Sequence, residues 1–262
     1  MAKREQKTME EKKPIINLYE NTSQVLNASI DKITVEVIKK KKEDSGAQVI
    51  VMTGCSPLAG TTSTSISMAI AMAATGRKTL LIDCDLRKYS EYKKLNDVVK
   101  SGLAEYITEQ PTKGVELKSV VYETNVENLW YVPCGKTEEN PTRILCSERM
   151  NSFISAIRQE YDCVFMDFPS LSVVPDAQIM FSKVDGIIYI VALGETKRLQ
   201  IKDARRLIRP FIDKYYGMIV NKTPKEVYKA NVKNSDYYLK NKQGKQHFEN
   251  NKAYKKKNKK VD

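Results

Sequence analysis

The sequence predicts an α/β fold in which a mostly parallel sheet carries helices on both faces. Three observations lead there. Short unbroken apolar runs recur at 48–52, 79–82, 164–166 and 186–192. Longer segments with helical patterning separate them. Acidic residues or a glycine-bearing loop follow several of the runs directly. Strands buried on both faces read as continuous apolar runs, whereas half-exposed strands alternate. In sheets of this kind ligands bind at the carboxyl ends of the strands, so the residues placed there bear on function.

Residues 48–52 form the first strand. Residues 62–75 are rich in Ala, Met and Ile and read as a buried helix stopped by Gly76. A second strand at 79–82 ends in Asp83, with Asp85 just beyond. A short strand at 129–132 precedes Pro133, and 151–159 is helical. The strand at 164–166 ends in Asp167. The apolar run 186–192 is followed by an amphipathic helix at 199–212 that contains Pro210, and a last strand at 218–220 ends at Asn221. Three segments result: a polar N-terminal stretch with a helix and linker (1–44), the α/β domain (45–223), and a basic tail (224–262).

Composition bounds the function. The chain has 262 residues and a net charge of +12. No apolar run approaches the ~20 residues of a membrane span. The N-terminus is charged and lacks the apolar core of a signal peptide. The five cysteines are scattered without a CxxC pair, and the one histidine, His247, lies in the tail. These features argue against a disulfide framework, a zinc site or a histidine-based triad. They point to a reduced, cytoplasmic setting. Residues 225–262 hold 12 Lys against 4 Asp/Glu and almost no aliphatic side chains. Such a segment cannot bury enough surface to order itself, and it attracts anionic surfaces.

The stretch VIVMTGCSPLAGTTST at 49–64 has the layout of a P-loop. Such loops need glycines so that backbone N–H groups face phosphate oxygens at a helix N-terminus. They also need a Ser/Thr for Mg²⁺, a lysine for the phosphates and a carboxylate from a second strand end. Thr62 and Asp167 meet two of these needs. The segment LLIDCDLRK at 80–88 adds Asp83 and Asp85.

Together with YDCVFMDFPSLSVVPDA at 161–177, these segments resemble the Walker A′ and Walker B regions of the bacterial tyrosine kinases, the BY-kinases of capsule and exopolysaccharide synthesis. GLAEYI at 102–107, NLWYVPCG at 128–135, NPTRILCSERM at 140–150 and DGIIYIV at 185–191 extend the resemblance over roughly 14–222. The more distant MinD/ParA-like ATPases share the fold but lack the DLRK and NP…SERM combination; a MinD/ParA-like ATPase is the third reading. The resemblance implies a P-loop NTPase-like fold, with Asp83, Asp85 and Asp167 around Mg²⁺ and the γ-phosphate. Asp85 would activate the attacking tyrosine hydroxyl. Thr62 would ligate Mg²⁺, Gly60, Thr61, Thr62 and Ser63 would line the phosphates, and Asn221 would touch the base. It also implies tail tyrosines as phospho-acceptors, here Tyr237 and Tyr238.

Two departures modify that expectation. Where the family resembles PGEGKST, this chain reads PLAGTTS at 57–63, so Thr61 replaces the lysine and Leu58 a glycine. Losing a charged hydrogen bond to an anion costs about 1.5–3 kcal/mol, and a leucine forced to positive φ adds roughly 1–2 kcal/mol. The total predicts a 10²- to 10³-fold loss of ATP affinity on the order-of-magnitude scale. The family's N-terminal helix, resembling PIAEAYRTLRTNI, uses a Glu and two Arg to close a ring of subunits. Here PIINLYENTSQVL at 14–26 has Asn17, Glu20 and Ser23 there.

The sequence therefore leads to a BY-kinase-like protein with weak or lost kinase activity, a scaffold or regulator at the inner face of the membrane. ATP with Mg²⁺ is its expected cofactor, weakly bound. Its expected partners are a membrane-embedded polysaccharide co-polymerase or activator, the anionic membrane surface through the tail, and an active kinase homologue; nucleic acid is not favoured. The runner-up is an active ATP-dependent autokinase with an atypical loop. Because one ring arginine has become an acid, light scattering is expected to report a monomer or small oligomer. An octamer-sized species would contradict this.

Overall fold

A computed structural model of the protein describes residues 14–18, 23–41, 46–87, 101–108, 116–136 and 140–224. The basic tail beyond 224, with Tyr237 and Tyr238, lies outside the described residues, as does Lys88. In chain order the elements are α1 (Gln24–Lys39), β1 (Gln48–Gly54), α2 (Thr61–Ala73), β2 (Thr79–Asp83), α3 (Leu103–Thr108), α4 (Leu117–Val120), β3 (Tyr122–Glu123), β4 (Leu129–Val132), α5 (Pro141–Leu145), α6 (Glu148–Glu160), β5 (Cys163–Phe168), α7 (Asp176–Met180), β6 (Gly186–Ala192), α8 (Arg198–Ile208) and β7 (Tyr215–Asn221).

The strands form one seven-stranded sheet in the order β3-β4-β2-β5-β1-β6-β7. All pairings are parallel except that of β3 with β4. Every residue of β1, β2, β5 and β6 is buried, as their unbroken apolar runs require. Alternate residues feed two separate cores. Val49 and Val51 pack with Phe153 and Ile157 of α6, Met180 of α7 and Ile208 of α8. Ile50 and Met52 pack with Ile30 and Val37 of α1 and Met68 and Met72 of α2. Helices thus cover both faces of the sheet.

The structure shifts some boundaries. Residues 14–18 are not helical. Ile16 forms a parallel bridge with Thr124, its N–H bonding Glu123 O at 2.9 Å and its carbonyl accepting from Asn125 N at 3.1 Å. The Asn125 amide clamps both the N–H and the carbonyl of Leu18. Ser23 is the N-cap of α1, its hydroxyl accepting from Leu26 N. Ile16 is fully buried and Leu18 nearly so, so this segment and α1 belong to the packed domain. At the other end, α8 stops at Ile208 and a 3₁₀ turn spans Arg209–Lys214. Proline has no N–H to donate and its ring clashes with the preceding turn, which is why Pro210 ends the regular helix earlier than the amphipathic pattern suggests. At β6, a Cβ on Gly186 would lie 2.5 Å from the Tyr216 ring. The glycine lets the edge strand approach and leaves the Tyr216 hydroxyl to accept from Gln48 Nε2 at 2.9 Å.

The N-terminal strap yields a stability prediction. Ile16→Ala removes a fully buried side chain and is expected to cost about 2–5 kcal/mol, read as a lowered midpoint in denaturant unfolding. A change below about 0.5 kcal/mol, the scale of surface substitutions, would show that the strap is not part of the cooperative unit.

Candidate functional site

The site is built where β1, β2 and β5 end. The parallel register sets Asp83 directly beside Asp167, with Met52 of β1 at the same level on the other side of Asp167. Neighbouring strands lie about 4.8 Å apart. Both carboxylates are buried, at 7% and 6% exposure. Asp83 accepts from the Asp85 N–H at 3.0 Å, and Asp167 accepts from the Ser65 hydroxyl at 3.0 Å. Thr62, Ser65, Asp83 and Asp167 share a cavity of about 10 Å³, the room of one small ion or water. The structure therefore brings together the three residues expected to hold Mg²⁺. Asp85 stands two residues beyond Asp83 and is half-buried.

The loop between β1 and α2 is held from several sides. Cys55 N bonds Ile190 O at 2.8 Å, and Leu171 N bonds Gly54 O at 3.0 Å. The Ser56 hydroxyl meets Thr196 Oγ1 at 2.7 Å. Gly60, at φ 84°, is the N-cap of α2 and offers no side-chain cap. A helix start without a side-chain cap is an anion-binding feature. Ser63 is exposed in the first turn. Asn221 donates from Nδ2 to Ala59 O at 2.9 Å, and a Cβ at Gly60 would overlap that same amide nitrogen. Asn221 thus braces the loop, a role that its place at a strand end did not reveal.

Leu58 has φ 57° and is 86% exposed. The leucine does occupy a conformation that suits glycine, as the substitution in the loop predicts. This strain is a property of the folded loop, so it subtracts from folding stability rather than from affinity. Thr61 is the first residue of α2 and is half-buried. A Cβ on Gly54 would lie 2.8 Å from its hydroxyl oxygen, so the short side chain turns back along the loop. It brings no charge to the helix start.

Burial favours the neutral thiol at the cysteines near the site. Burial pushes the Cys55 thiol up to about 12. Burial, reinforced by the neighbouring Asp83, does the same for Cys134, and burial holds Cys84 well above the ordinary thiol range. The thiolate is the reactive form. Among the described residues no three His, Cys, Asp or Glu cluster as a ready-made metal centre; the candidate set is mixed hydroxyl and carboxylate.

One functional pair was not foreseen. Arg87 Nε and Nη2 donate to the two oxygens of Asp176 at 2.8 and 2.9 Å, and Asp176 is fully buried. The hydrogen bonds to Asp176 raise the Arg87 pKa further. The pair ties the DLRK segment after β2 to the start of α7 and so positions Asp85. Both residues stand in the motifs quoted above, but only the fold joins positions 87 and 176.

A parallel sheet with a glycine loop at the start of a helix and two strand-end carboxylates defines a P-loop NTPase-like protein. The family described as AAA domain matches residues 47–196. Tyrosine-protein kinase CpsD of Streptococcus agalactiae is 33% identical over 182 residues, covering 69% of this chain and 77% of that protein. The solved chimerical protein CapA2B2 aligns with a TM-score of 0.68 at 23% identity, over 81% of this chain and 95% of that one. The BceF tyrosine kinase domain aligns at 0.61 and 26% identity, over 76% of each chain. The chain belongs to the bacterial tyrosine kinase family.

The Arg87–Asp176 pair can be tested directly. Arg87→Ala leaves a buried carboxylate unpaired and is expected to cost about 1–3 kcal/mol, measured by chemical denaturation. Adding Asp176→Asn should recover part of that loss. If the double variant shows the two separate losses simply added, the pair carries no coupling.

Proposed function

We propose that the chain is a BY-kinase-like protein of capsular or exopolysaccharide synthesis whose ATP-dependent tyrosine kinase activity is weak or lost. It would act as a scaffold or regulator beside a membrane-embedded co-polymerase, at the inner face of the membrane. One observation carries this reading: Thr62, Asp83 and Asp167 line one small cavity beside a glycine loop whose expected lysine position holds Thr61. Thr62, Asp83 and Asp167 suit Mg²⁺, because two buried carboxylates at adjacent strand ends repel one another unless a cation lies between them. Mg²⁺, when bound, would neutralise charge on the β- and γ-phosphates. The α2 N-terminus suits the phosphates, but its loop supplies no cationic side chain for them. The match to a protein named tyrosine-protein kinase CpsD supports the tyrosine-kinase part of this reading.

The second reading, an active autokinase with Tyr237 and Tyr238 as acceptors, draws on the same corner. What supports it is that Asp83 and Asp167 lie side by side at adjacent strand ends, with the Asp85 N–H bonded to Asp83.

The loss of affinity separates the readings. Because the strain at Leu58 belongs to folding, only the missing lysine acts on binding, at about 1.5–3 kcal/mol. From a micromolar starting point, that puts the ATP–Mg²⁺ dissociation constant at roughly tens to hundreds of micromolar. Calorimetry on the purified protein is the measurement. Thr61→Lys should tighten binding by at least about tenfold. Leu58→Gly should instead raise Tm with little change in affinity. A low-micromolar constant for the unaltered chain would promote the autokinase reading.

A further inference from the structure

The outer face of α8 is strongly basic. Between Lys197 and Arg209 there are six basic residues and one acid, Asp203. Ala204 and Ile208 bury the helix against the sheet. At 100° per residue, Leu199, Lys202 and Arg206 then form a stripe pointing directly away from the core, with Arg198, Arg205 and Arg209 along one side of it and Asp203 on the other. Leu199 and the five basic residues of this surface are all exposed. Leu199 is 66% exposed, and Ile212, just past the helix, is 64% exposed. Asp203 removes one unit, six minus one leaving 197–209 at a net +5, and its contact with Arg206 is 3.6 Å long and open to solvent on both sides.

We propose that this α8 face docks on an anionic lipid bilayer. The proposal deepens the peripheral membrane placement given above and rests on it. A basic stripe with protruding aliphatic side chains matches an interfacial surface, whose cations meet headgroups while the aliphatic groups enter the headgroup boundary. Nucleic acid fits less well, since 197–209 has no aromatic residue on which a base could stack. Lys222, where the described chain nears its end, pairs with Glu195 at 2.6 Å, immediately before α8. The described chain therefore ends near the start of α8, and residues 225–262, outside the described residues, carry a net +8.

The test is co-sedimentation of the full chain with phosphatidylglycerol-containing and with neutral phosphatidylcholine vesicles at low salt. Lys202→Glu with Arg206→Glu should lower partitioning onto the anionic vesicles on the order of 30-fold or more. Lys39→Glu with Arg77→Glu makes the same change in net charge among residues of α1 and the α2–β2 loop. It should lower partitioning far less, because α1 and α2 pack on the opposite face of the sheet. Leu199→Gln should cost a further few-fold on vesicles and nothing on DNA. Equal losses from the two double reversals would overturn the α8 face and leave net charge or the tail responsible. α8-dependent binding to DNA without binding to vesicles would overturn it in favour of nucleic acid. No binding of the unaltered chain to anionic vesicles would overturn the proposal together with the chain's own hold on the membrane, while leaving a partner-mediated placement standing. Circular dichroism and Tm of each variant identify any loss that comes from unfolding.

Discussion

The level, parallel alignment of β1, β5 and β2 is the constraint on which the rest of this structure depends. It puts Asp83 and Asp167 side by side and starts the phosphate loop one strand away, where β1 ends at Gly54. A slip of one residue in either pairing would turn the carboxylates to the opposite face of the sheet. The register is held because both faces are packed: Val49 and Val51 are committed to one core, and Ile50 and Met52 to the other. Carboxylates placed this closely are costly in a buried setting. The neighbouring Ser65 hydroxyl and Asp85 N–H offset part of that cost, and a cation would offset more.

The loop shows how a substitution can act on folding and binding separately. Leu58 stores its strain in a positive φ, which weakens the fold whether or not a nucleotide is present. Thr61 is the first residue of α2 and brings no charge to the helix start. The bracing bonds from Asn221, Ile190 and Thr196 hold the loop without any help from a lysine. The loop's shape therefore does not depend on a lysine at position 61.

α8 is another place where structure and charge are separable. Its contact with the core rests on small and aliphatic groups, with Ala204 and Ile208 the buried ones. The outward positions touch little, so their basic character costs the fold almost nothing. Charge collected on such a face reflects what lies outside the domain more than what holds it together.

The sequence by itself determined the fold class, the main strands and the order of the motifs. Apolar runs and helical periods are local signals set by burial on one or two faces. They also placed Asp83 and Asp167 at strand ends and exposed the changes at Leu58 and Thr61. The short α3, α4, α5 and α7, the two-residue β3 and the true end of α8 were not legible, because few residues in them carry a period and tertiary packing decides their limits. The strap at Ile16 reads as part of a helix until its partner Thr124 is known, since a single bridge leaves no repeat in the sequence. Only tertiary structure joined Arg87 to Asp176, turned Asn221 onto the loop and gathered the basic residues of α8 into one outward stripe. Each depends on residues distant in sequence or on which way a helix faces, and both are fixed by the packing of whole elements rather than by local preference.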